Sequence, residues 1–176
     1  MIFVPAPLAG AFVVELKCLE DERGFFARSF CREEFEKQGL NPEVAQCNVS
    51  FNPRRGTLRG MHFQADPHSE DKLVRCTQGV VWDVIVDLRT GSQSYAKWFG
   101  VELSASSRRA LYIPKGFAHG FQTLSDDAEV LYMMAESYHP DCARGVRWND
   151  PAFAIEWPIA DPLMSDRDRA FPLLSA

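Results

Sequence analysis

Ten short runs of alternating apolar and polar side chains, punctuated by turn residues, constrain this chain more than any other feature of its sequence. They are Ala11–Leu19, Phe25–Phe30, Gln46–Phe51, Thr57–Gln64, Lys72–Thr77, Gly79–Leu88, Trp98–Leu103, Arg109–Ile113, Gly120–Thr123 and Ala128–Met134. A period of two sends successive side chains to opposite faces, so each run reads as a strand with one face toward a core. So many strands with short loops predict face-to-face packing in a sandwich or barrel of the jelly-roll kind.

One helix is predicted over Arg32–Gln38, ending at Gly39, which can take the left-handed conformation just past a helix end. A second short helical turn is expected to start at Ser165. The C-terminal third, with Pro140, Pro151, Pro158, Pro162 and Pro172, reads as irregular chain wrapped over the β body. Without a linker, repeat or low-complexity tract, residues 1–176 read as one domain.

Nineteen Lys and Arg against twenty-four Asp and Glu leave a net charge of −5, which offers no footprint for duplex nucleic acid or an acidic membrane face. A small anion stays open, because one arginine cluster in a cleft holds a phosphate whatever the total charge. The five cysteines are odd in number, widely spaced and form no CxxC pair, which points away from a disulfide framework or zinc knuckle and toward a reducing cytoplasm. The uncharged N-terminal stretch contains Pro5 and Pro7 and has no basic region before it, so it does not read as a signal peptide. No run approaches the roughly 18 apolar residues of a membrane span.

Chemistry gathers in a few places. The stretch from Gly56 to Gln64 carries Arg59, Gly60 and His62 on one strand. Strict alternation puts Leu58, Gly60, His62 and Gln64 on one face and Arg59 on the other. For Arg59 and His62 to reach one cavity the strand must twist or bulge near Gly60. The plain alternative for His62 is a hydrogen-bonded structural histidine. Lys72 shares a face with Val74 and Cys76, where it either snorkels to the surface, the ordinary behaviour, or points inward as a cation.

Downstream, Pro114, Gly116 and His119 form a P-x-G-x-x-H turn that delivers His119 onto a strand, a spacing also found in metal-binding cupins. A cupin metal site draws three or four ligands. Gln64 stands where a second histidine would complete a His-x-His pair with His62, so no metal is expected there. Tyr132 falls between Val130 and Met134 on an apolar face, and a buried phenol needs a partner. It is either a core tyrosine or a proton donor in a dry cavity. Asp168 closes an S-x-x-D pattern from Ser165, whose plain reading is a helix cap.

Taken in order, Asp21-Glu-Arg23-Gly-Phe-Phe26, Gln46-Cys-Asn48-Val-Ser50, Leu58-Arg59-Gly60-Met-His62-Phe-Gln64, Lys72-Leu-Val, Asp83-Val-Ile-Val-Asp87-Leu-Arg89, Ile113-Pro-Lys-Gly-Phe-Ala-His119 and Trp148-Asn-Asp150-Pro resemble the dTDP-4-dehydrorhamnose 3,5-epimerases. The resemblance covers nearly the whole chain. It implies a cupin-type jelly roll, a homodimer and cofactor-free inversion of C3, C5 or both in a nucleotide-linked 4-keto sugar. By the same resemblance His62 is the base, Asp168 its partner, Lys72 the enolate stabiliser and Tyr132 the acid, while His119 binds substrate or sets the pocket's charge. Arg23, Gln46, Asn48 and Arg59 hold the nucleotide diphosphate, Phe26 lines the site and Tyr138 stacks on the base. The chain departs from the family pattern at Arg28 and Ala143, where acidic residues are usual, and at Arg167, where Lys is common.

Overall fold

In the computed structural model, which describes residues 1–174, the alternating runs pair into two antiparallel sheets. One sheet contains β1 (Ile2–Pro5), β2 (Phe12–Glu15), β5 (Gln46–Asn52), β7 (Lys72–Gln78), β10 (Ala110–Ile113) and β12 (Ala128–Met134), in the order β1-β2-β10-β7-β12-β5. The other contains β6 (Leu58–Gln64), β8 (Val80–Asp87), β9 (Trp98–Ser104), β11 (Phe117–Thr123) and β13 (Ala143–Gly145), in the order β13-β6-β11-β8-β9. A separate hairpin pairs β3 (Leu19–Asp21) with β4 (Gly24–Phe26). The architecture is mainly β, the jelly roll that the alternation predicts and of the cupin type that the resemblance implies.

Alternation decides what fills the space between the sheets. Val74, Cys76 and Val130 from the first sheet meet Val81, Ile85, Phe117 and Phe121 from the second in one buried cluster. Each such side chain contributes roughly 1.5–3 kcal/mol on burial. The outer faces are covered too, which explains why β8 is buried along most of its length. Helix α1 (Arg32–Lys37) lays Phe35 against Val14, Leu73 and Tyr112 behind the six-stranded sheet. The C-terminal chain lays Val146 and Phe153, with Ile155 and Trp157, over Met61, Val84, Val86 and Ala118 of the five-stranded one. This is the irregular wrapping that the prolines foretold.

The end of α1 follows its sequence. Gly39 takes φ +70°, its N–H donates to Glu36 O, and Leu40 N–H reaches back to Phe35 O, a Schellman closure with Leu40 and Phe35 buried in the same cluster. At the other end of the chain Ser165 caps α2 (Asp166–Arg169), its Oγ accepting the Asp168 N–H at 3.1 Å.

Several expected boundaries are corrected. The run Ala11–Leu19 holds as a strand only over Phe12–Glu15, and Phe25–Phe30 shrinks to a short arm of the exposed hairpin. Strand β11 begins at Phe117, ahead of the predicted Gly120. Two edge strands were not predicted, Ile2–Pro5 and Ala143–Gly145. Pro5 is tolerated because β1 is an edge, where a missing N–H costs no ladder bond. Among the described residues no helix is long and apolar enough to cross a membrane.

Candidate active site

A cavity of about 580 Å³ opens between the two sheets, and register explains which side chains enter it. On β12, Tyr132 pairs with Val74 and Met134 with Lys72, so Lys72 and Tyr132 share the inner face with core residues Val74 and Val130. On β5, Gln46, Asn48 and Ser50 pair with Met134, Tyr132 and Val130, which turns these three polar side chains to the same face. From the opposite sheet come Arg59, His62, His119 and Phe121.

Arg59 and His62 are three residues apart, and the predicted bulge brings them together. His62 pairs with His119 and Arg59 with Phe121, so three steps on β6 match two on β11 and the parity of β6 flips. Gly60 takes φ +136°, and a Cβ on it would lie 2.6 Å from Gly120 Cα. Only glycine at both positions lets the two backbones approach this closely.

Asp168 crosses from α2 to this bulge. Its Oδ1 lies 2.9 Å from His62 Nε2 and its Oδ2 accepts the Gly60 N–H at 3.2 Å. The capping pattern is therefore real for its backbone N–H, whereas its carboxylate serves β6. Burial pushes the Asp168 carboxyl up, but the His62 ring, the Gly60 N–H and the Ser165 contact outweigh burial and hold it below its ordinary value. His62 remains partly exposed to the cavity, with Nδ1 turned away from this contact.

Lys72 does not snorkel. It is buried and its Nζ lies 3.1 Å from Oε1 of the equally buried Glu70, whose Oε2 accepts from Gln64 Nε2 at 3.3 Å. A charge removed from water needs such a partner. His119 forms a second pair, Nε2 to Asp83 Oδ1 at 2.8 Å, with both side chains buried. Its ring meets that of Tyr132 edge-on at 6.0 Å. Burial raises the Tyr132 phenol far above its ordinary value and the Asp83 charge adds to this, opposed in part by Arg59 and the Ser50 hydroxyl. The phenol's face is thus less apolar than the sequence implied.

Arg59 is steadied by Asn52, whose Oδ1 accepts its Nε–H at 2.7 Å. Gln46 donates to Glu136 O at 2.9 Å, and Tyr138 stands exposed at the rim. Arg23 and Phe26 are the exceptions: both project from the exposed hairpin, away from this chain's cavity, with Arg23 paired to Asp21. Arg28 pairs with Glu34 at 3.0 Å, and Ala143 and Arg167 line the cavity. Asp83, Glu70 and Gln64 received no role from sequence alone. A lone Asp83 inside an apolar strand was a usable signal, since a buried carboxylate requires a partner.

The family described as dTDP-4-dehydrorhamnose 3,5-epimerase matches residues 5–176. The chain belongs to this family. It is an isomerase of the epimerase type. The dTDP-4-dehydrorhamnose 3,5-epimerase of Shigella flexneri is 44% identical over 169 residues, covering 96% of this chain and 93% of that one. A Bacillus anthracis epimerase crystallised with TDP and PPi superposes with a TM-score of 0.95 at 42% identity, covering 98% of this chain and 99% of the other. The dTDP-4-dehydrorhamnose 3-epimerase of Streptomyces niveus is 39% identical over 172 residues, 97% of this chain and 83% of its own.

Proposed function

We propose that this epimerase inverts C3 and C5 of dTDP-4-keto-6-deoxyglucose without a cofactor, using His62 as base and Tyr132 as acid. The observation that carries the proposal is that these two side chains enter one cavity from opposing sheets. Inversion needs a proton taken from one face of a carbon and returned to the other, and a base and acid on facing walls suit that need.

The C4 ketone acidifies both neighbouring carbons. His62 accepts the C–H proton at Nδ1, because Nε2 is held by Asp168. The electron pair moves into a C=C bond and the C4 oxygen becomes an enolate oxygen, beside which the Lys72 ammonium stabilises negative charge. Collapse of the enolate takes a proton from the Tyr132 hydroxyl on the opposite face. Burial keeps that phenol neutral, as an acid must be before it reacts. His119 and Asp83 sit beside it, suited to binding substrate and setting the pocket's charge. Solvent then restores Tyr132 and His62 for the second carbon.

Arg59, Gln46 and Asn48 hold the nucleotide diphosphate and Tyr138 stacks on the base. Arg23 and Phe26 fit the same ligand if a second copy of the chain supplies them, which supports a homodimer with the hairpin reaching across. Phe26 is 75% exposed, and Phe25 and Leu19 of the same hairpin are exposed as well, which is surface a partner would cover. The chain's unpaired cysteines fit the cytoplasm. We take residues 1–176 as a single domain.

Incubation with dTDP-4-keto-6-deoxyglucose, followed by NMR of the ring couplings, tests the reading. Inversion at both carbons is expected. The Streptomyces niveus relative favours a second reading, inversion at C3 alone, and Ala143 and Arg167 at the cavity wall are where such a preference would arise. A product inverted at one carbon would select it, and an unchanged sugar would overturn both.

A further inference from the structure

His68, Glu136 and His139 cluster beside the cavity rim, outside the machinery assigned above, with their ligating atoms all within 4.8 Å of one another. His68 Nδ1 lies 3.7 Å from Glu136 Oε2 and His139 Nε2 lies 3.8 Å from Glu136 Oε1. Neither separation is a hydrogen bond. His68 Nδ1 is buried and has no hydrogen-bond partner among the described residues.

The backbone that carries these three side chains is pinned by one buried glutamine. Gln64 Nε2 donates to His68 O at 3.0 Å and Ser137 O at 3.1 Å, while its Oε1 accepts the His139 N–H at 2.6 Å. The Ser137 N–H orients the Glu136 carboxylate at 2.8 Å, the kind of outer contact that fixes a metal-binding carboxylate. Donors bound to zinc at about 2.0–2.2 Å in a tetrahedron stand roughly 3.3 Å apart, so the two His–Glu separations of 3.7 and 3.8 Å must close by about half an ångström. The two imidazoles now stack at 3.4 Å with planes 8° apart. In-plane coordination by both needs one ring to swing, which side chains 35% and 37% exposed are free to do.

We propose that His68 Nδ1, the Glu136 carboxylate and His139 Nε2 bind one divalent ion of the zinc, nickel, copper and cobalt class, with solvent completing the coordination. Two imidazoles and a carboxylate suit these ions and disfavour magnesium or calcium, which take oxygen ligands. The site is separate from His62 and His119, for which no metal is expected. It adjoins Tyr138, so an ion there would stiffen the segment that carries that ring. This inference is independent of the sugar chemistry, because its readout is the metal itself.

Untagged protein stripped with a chelator is titrated with zinc chloride by calorimetry and with cobalt chloride by visible absorption. One equivalent is expected, with cobalt d–d bands of a nitrogen and oxygen site. The His68→Gln/His139→Gln variant is expected to lose at least about 100-fold in affinity and Glu136→Gln about 10-fold. The His62→Ala variant is expected to bind as the parent does. Each single glutamine variant is measured as well, so that one folded variant suffices. No binding to the parent up to about 1 mM zinc, equal binding by all the variants, or loss confined to His62→Ala overturns the proposal.

Discussion

Asp168 bonds both the His62 ring and the backbone that aims it: its Oδ1 lies 2.9 Å from His62 Nε2 and its Oδ2 accepts the Gly60 N–H at the bulge. One carboxylate on the C-terminal helix therefore fixes the imidazole's tautomer, its orientation and the strand kink that turns it into the cavity. An imidazole oriented this way need not reorganise on taking up a proton, as the proposed role of His62 requires.

Replacing Asp168 with Asn keeps the shape and removes the charge. The amide can still bond Gly60 or the ring but no longer favours imidazolium. We expect kcat to fall by about 10²- to 10⁴-fold with the fold intact, measured by steady-state kinetics alongside circular dichroism. Unchanged kcat would mean that the pair is only structural.

Tyr132→Phe separates the two proton transfers. The phenol faces the cavity, so losing its hydroxyl opens no void in the packed core and stability should change little. Abstraction by His62 continues, and deuterium from solvent enters the substrate with its configuration retained. Inversion is expected to slow by about 10²- to 10⁴-fold. Equal loss of exchange and inversion would assign Tyr132 some other task.

Lys72 and Glu70 make a buried ion pair, so removing one partner strands the other. Lys72→Met is expected to cost about 3–5 kcal/mol by urea denaturation and to abolish turnover. Adding Glu70→Gln should restore most of the stability and none of the activity. Recovery of activity in the double variant would contradict an enolate-stabilising role for the ammonium.

Asp87 governs acid stability by a different route. Burial opposes its ionisation, but Arg89, the hydroxyls of Ser92 and Ser94 at 2.6 Å each, and the Arg89 N–H hold its carboxyl well below the usual range. A carboxyl depressed in the folded state adds stability above its unfolded value, near 3.9, and loses it as pH falls toward the folded one. Asp87→Asn should cost about 2–4 kcal/mol at neutral pH, and the gap should begin to narrow only below about pH 4 and shrink progressively with further acidification. A gap independent of pH would refute the assignment.

Much of this was legible beforehand, and the exceptions have physical causes. Period-two runs gave both sheets, because core residues such as Val74 and Ile85 must alternate with outward neighbours. The bulge was readable as well, since Arg59 and His62 fall on opposite faces of a regular strand and Gly60 marks where parity can change. Lys72 was ambiguous because its burial depends on Glu70, which sits in a loop that no periodicity describes. Asp83 stands out as a lone carboxylate in the apolar run of β8, but its partner His119 lies on another strand that no local pattern links to it. Arg23 and Phe26 face away from the cavity of their own chain because the hairpin that carries them projects from the sheets, a placement that local pattern does not set. The trio at His68 depends on a long-range tie through Gln64 and leaves no trace in local spacing.

The most direct test of the central claim is incubation with dTDP-4-keto-6-deoxyglucose in D₂O, reading deuterium at C3 and C5 by NMR, with His62→Ala as control. Deuterium is expected at both carbons with the parent protein and none above background with the variant. Deuterium entering the variant at the parent's rate would show that His62 is not the base. An unlabelled, unchanged sugar with the parent protein would contradict the proposed reaction itself.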